Sequence, residues 1–132
     1  MISNGQVIEI VRGLLEKTTA NQVNWHVGEI YDDPSDVYLE SNSFFVQLPE
    51  SRVTVTFEAQ YGVPDQIVIE FKNKENLSVK RLRVDWNSPD WELARDLYHA
   101  IGRALLGWDK VLDEIEDAVR GEEQIGLPEG EI

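Results

Sequence analysis

The run Val53-Thr54-Val55-Thr56-Phe57-Glu58 alternates apolar and polar side chains without interruption. Period-two alternation of this kind fits an extended strand with one dry face and one wet face. A turn composition follows, Tyr61-Gly62-Val63-Pro64-Asp65, and the alternation then resumes. Ile67, Ile69 and Phe71 take the dry side, and Val68, Glu70 and Lys72 the wet one. Two such runs joined so briefly predict an antiparallel pair, whose dry face must be covered by something else in the chain.

More strands flank this pair. The polar turn Asn73-Lys74-Glu75-Asn76 leads to a run with Leu82, Val84 and Trp86 inward and Arg81 and Arg83 outward. In the simplest register Glu58 and Glu70 share the outer face with those arginines, in pairs worth only about a few tenths of a kcal/mol each. Upstream, Phe44, Val46 and Leu48 form a strand closed by Pro49, and Val37 to Leu39 adds a brief one. Val23, Trp25 and Val27 alternate with Asn24 and His26 as a first short strand, and Tyr31 to Asp36 has loop chemistry. The expectation is an antiparallel meander of five or six strands.

The cover is helical. Val7, Ile8, Val11, Leu14 and Leu15 lie on one face of a helix from about Asn4 to Thr18, capped by Ser3 or Asn4, with Gly13 as an internal weak point. Ser88 to Arg120 supplies the larger piece. Ser88 reads as an N-cap, Pro89 as the first helical residue, and Asp90 and Glu92 as first-turn acids. Leu93, Leu97, Ile101 and Leu105 recur every four residues; after Gly107 the pattern resumes with Trp108, Val111, Leu112, Ile115 and Val119. The fold class is therefore α+β: an N-terminal helix, the meander, and a broken C-terminal helix on one face of the sheet. Residues 1–120 form the single domain, and 121–132 an acidic, flexible tail.

Charge is the strongest compositional feature. The formal net charge of −13 over 132 residues argues against general binding to nucleic-acid backbone, which depends on Lys and Arg. Gly28 to Ser51 holds six acids and no Lys or Arg, and Asp109 to Ile132 nine acids against Lys110 and Arg120. Between these zones, Arg52 to Val84 carries six cations against four acids. There is no cysteine, so disulfides, thiol chemistry and cysteine-held zinc are excluded. With no signal-peptide pattern and no run of membrane-spanning length, a cytoplasmic protein without membrane contact is expected.

The layout resembles a family of small bacterial and phage-associated α+β proteins. The residues that carry the likeness are Leu14-Leu15-Glu16-Lys17-Thr18, Trp25, the Trp91, Leu93, Leu97, Tyr98, Ala100 helix, and Leu106-Gly107-Trp108-Asp109-Lys110-Val111-Leu112. It spans about residues 10 to 120 and implies the fold, with no activity, cofactor or site attached.

Chemistry-bearing residues are sparse. His26 and His99 stand in no metal-ligand spacing, and Asp32, Asp33 and Asp36 fail the EF-hand pattern. Glu70 is an outward residue with arginine partners rather than a general base, and no nucleophile elbow or phosphate loop is present. A non-catalytic protein without cofactor or metal is the expectation. Its function would be interaction with another protein bearing a basic surface, as an accessory, inhibitor or immunity-type protein. The candidate interface is Trp91 and Trp108 with Asp109, Asp113, Glu116 and Asp117.

Two alternatives remain, one on other residues and one on the same acids. Trp25, Tyr38 and Trp86 could stack on a ring, with Arg81 or Arg83 holding an anion, in a ligand pocket between sheet and helix. The acids of the last helix could instead mimic DNA phosphates and block a nucleic-acid-binding protein. Homo-oligomers fit every version, because a sheet edge and a Trp-bearing helix can both self-pair.

Overall fold

Ser3 starts the first helix. Its hydroxyl accepts from the Gln6 backbone N–H at 3.2 Å, while the Gln6 side chain accepts from the Ser3 N–H at 2.8 Å, a reciprocal capping box. The computed structural model describes residues 2–32, 39–60 and 62–132. Helix α1 spans Asn4–Thr19, and the strands are β1 His26–Asp32, β2 Leu39–Gln47, β3 Ser51–Gln60, β4 Gln66–Asn73 and β5 Ser78–Asp85. Helices α2 (Trp91–Leu106) and α3 (Trp108–Arg120) follow, with a 3-10 turn at Glu129–Glu131. The expected α+β architecture is the one observed. No helix among the described residues is long and apolar enough to cross a membrane.

The five strands form one antiparallel sheet in chain order, so each strand lies beside its sequence neighbour. Register follows the alternation in the sequence. Phe44, Val55, Ile69 and Leu82 stand in one row across β2 to β5 and are all buried on the helix side. One residue along, Phe45, Thr54, Glu70 and Arg81 form the matching outer row. Leu97, Ile101, Val7 and Val11 close the inner face as a single core with the sheet residues. Each large aliphatic side chain fully buried there contributes about 1.5–3 kcal/mol.

The outer face is held by charge and shape. Glu70 lies 3.5 Å from Arg81, its partner in the register, and 3.6 Å from Lys72 on its own strand, and Glu58 lies 3.4 Å from Arg83 on a diagonal across β4. Val68 is outward in the alternation yet buried, because it sits in the row between Thr56 and Arg83.

Three local expectations are corrected. Val23 and Trp25 precede β1, which begins at His26 and runs on through Tyr31 and Asp32, residues whose composition reads as loop. Trp25 is held by a different bond: its indole N–H donates to Thr18 Oγ1 at 2.9 Å, and Thr18 donates in turn to the Leu14 carbonyl at 2.6 Å. Trp86 lies past the end of β5 and is 63 % exposed rather than inward. Finally, α2 starts at Trp91 with Asp90 in the cap position. The Ser88 hydroxyl accepts from the Asp85 N–H at 3.0 Å, so it closes the β5–α2 turn and is not free to cap the helix. Val37 lies outside the described residues.

The Trp25–Thr18 bond gives a direct test. Thr18→Val keeps the shape but removes the acceptor from a buried indole N–H, which costs the desolvation of that group. A loss of about 1–2 kcal/mol in denaturant unfolding is expected. No loss would mean that the indole finds another acceptor.

Candidate functional site

Gly107 divides the closing helix, as its composition suggests. It adopts φ +64° and ψ +37°, the left-handed conformation that ends α2, and α3 starts at the next residue. Trp108, the first residue of α3, turns back onto the domain and packs partly buried against the core. Its indole lies 5.6 Å from the Tyr98 ring and 6.0 Å from the His99 ring, centroid to centroid. It also lies directly over Gly102, where a Cβ would fall inside the indole's van der Waals envelope. The small residue in α2 is therefore the seat of the Trp108 ring.

Beyond Trp108 the helix leaves the core. Every residue from Asp109 to Arg120 is exposed, and α3 buries none. This includes Val111, Leu112, Ile115 and Val119, which are 53–64 % exposed. At 3.6 residues per turn these four share one side, so an unbroken apolar stripe faces solvent. Asp109, Asp113, Glu116 and Asp117 lie on the other side of the helix. Asp109 pairs with Arg103 of α2 at 3.4 Å and Glu116 with Arg120 at 3.6 Å, both well exposed.

The structure thus separates the candidate interface residues. Asp109, Asp113, Glu116 and Asp117 are gathered along α3, with Trp108 at its root. Trp91 is not exposed as an anchor: it opens α2 partly buried against the core. The apolar stripe is visible in the sequence as a helical repeat, but repeat spacing alone does not distinguish a covered face from a bare one.

The ligand-pocket residues are not gathered. Trp25 is buried, 4 % exposed, beside a shallow cleft with His26 and Leu105 at the C-terminal end of α2. Arg81 and Arg83 project from the opposite face of the sheet in pairs with Glu70 and Glu58, and Arg83 also donates to Gln66. Trp86 stands apart beyond β5, and Tyr38 lies outside the described residues. His26 stacks on Phe45 with ring centroids 5.3 Å apart, and the Arg52 guanidinium lies 4.2 Å from the centre of the same ring. The Asp33 to Asp36 stretch also lies outside the described residues. Among those described, no three His, Cys, Asp or Glu side chains gather as a metal site, and no buried side-chain polar atom lacks a partner.

No protein-family model matches the chain, and neither a curated protein nor a solved structure does.

Proposed function

We propose that the chain is a non-catalytic protein–protein interaction module, a small acidic cytoplasmic accessory, inhibitor or immunity-type protein. On this reading α3 is its docking element. The observation that carries it is the bare stripe of Val111, Leu112, Ile115 and Val119. Four large aliphatic side chains in one line on a single exposed helix are a standing cost in water and a gain once covered. A helix laid into an apolar groove through residues at this spacing is a common recognition mode.

Charge narrows the partner. Helix α3 carries five carboxylates (Asp109, Asp113, Glu114, Glu116, Asp117) against Lys110 and Arg120. Two copies of α3 laid stripe to stripe would hold two strongly acidic helices side by side, which disfavours that pairing. A different protein, with an apolar groove edged by Lys or Arg, satisfies both sides of the helix. The exposed acids of α3 steer the encounter and are screened by salt, so association should slow as ionic strength rises.

The test is affinity capture on the tagged chain in low salt, followed by association kinetics with the purified partner. The expected result is a stoichiometric partner whose association rate falls steeply with salt and whose retention requires the α3 stripe. A partner retained equally well by a chain lacking residues 109–132 would overturn the assignment.

A further inference from the structure

We infer that the chain also associates with a second copy of itself, by seating residues 122–132 of one copy in an apolar notch of the other. The notch lies at one end of the sheet, beside the start of α1, and is lined by Ile2, Ile10, Leu48, Phe71 and Val79. Ile10, Leu48 and Val79 are each 43 % exposed or more, so the chain's own packing leaves them uncovered. Val79 is available because the β4–β5 ladder slips there: Phe71 pairs with Lys80 and Lys72 with Ser78, leaving Val79 as the extra residue of a bulge. Arg52 and Lys72 border the notch, with Glu50 as its acid.

The C-terminal segment is the complement of that surface. Ile125, Leu127 and Ile132 are its large apolar side chains, each 64 % exposed or more. Glu122, Glu123, Glu129 and Glu131 surround them, and no Lys or Arg follows Arg120. Apolar side chains would meet the notch while carboxylates meet Arg52 and Lys72. The whole segment is exposed in the single chain, so the contact is not made within it. Tail into notch joins two different patches, and its reciprocal closes a symmetric dimer without further growth. It also brings unlike charges together, which α3 against α3 would not.

Charge exchange tests this without relying on one variant. The first chain carries Glu129→Lys and Glu131→Lys, and the second Arg52→Glu and Lys72→Glu. Association is read by sedimentation over a wide concentration range, with circular dichroism to verify folding. The full chain should dimerise, and each charge variant alone should do so more than about tenfold more weakly. Mixed together they should form a one-to-one dimer, since both tail–notch contacts are then restored. Removal of residues 122–132 and Val79→Glu, at an exposed position, should each give a monomer. A full chain that stays monomeric, a dimer that survives loss of the segment, or a dimer broken instead by substitutions in the α3 stripe would overturn the inference. Partner capture through α3 should persist in all these variants, so the two assignments fail separately.

Discussion

Placing aspartate at both Leu112 and Ile115 should abolish partner binding while leaving the domain folded. Both side chains lie in the middle of the exposed stripe, where a covering groove would be driest. Burying two unpaired carboxylates there costs far more than losing two apolar contacts, because each must surrender its hydration. A weakening of at least about 100-fold is expected, of the order seen for central anchors. Neither residue touches the buried core, so unfolding should change by no more than about 1 kcal/mol, the helix-propensity cost of two aspartates. Isothermal titration paired with chemical denaturation separates the two effects. Neutralising Asp113 and Glu116 to Asn and Gln should flatten the salt dependence of association and change dissociation little. Retained affinity in the double aspartate variant would remove α3 as the docking element.

Gly102→Ala should produce the largest loss of stability from the smallest change in mass. Alanine is normally the better helix former by about 1 kcal/mol. Here its methyl group would occupy the space of the Trp108 indole, a rigid ring already packed against Tyr98 and the core. The ring must leave its seat or α2 must shift, so a net destabilisation of about 2 kcal/mol is expected. For a domain of this size that lowers the melting midpoint by roughly 8 °C. A double-mutant cycle with Trp108→Ala identifies the cause: once the indole is gone, Gly102→Ala should cost nothing or stabilise. Equal losses in the presence and absence of Trp108 would place the strain elsewhere.

Much of this layout is legible in the sequence because the sheet is regular. Val53 to Glu58 and Ile67 to Lys72 alternate cleanly, so the inner and outer faces, and the shared outer face of Glu58, Glu70, Arg81 and Arg83, follow from counting by two; the Glu58–Arg83 contact itself runs diagonally across β4. The reading fails where a side-chain bond or a bulge replaces the period. Trp25 mimics a strand residue but is fixed by Thr18, seven positions earlier in the chain. The β1–β2 register slips between Val27 and Ile30, around Gly28, so alternation there does not report the face. Ser88 resembles a cap in composition, yet its hydroxyl is drawn to Asp85 by the turn. The α3 stripe is legible as a pattern but not as a bare surface. A helix whose apolar face stays bare and a helix that covers its own sheet carry the same spacing, and only the path of the chain after Gly107 separates them.

The left-handed glycine and the single indole at the α2–α3 joint divide the molecule's obligations between separate residues. The sheet, α1 and α2 account for folding, and beyond Trp108 no side chain of α3 belongs to the core. Substitutions from Asp109 onward are therefore free of the constraint that normally couples a change in specificity to a loss of stability. On the docking role proposed for α3, a lineage could retune this helix, or replace it outright, while inheriting the same scaffold. For an engineer, the same joint is a ready point at which to graft a different recognition helix.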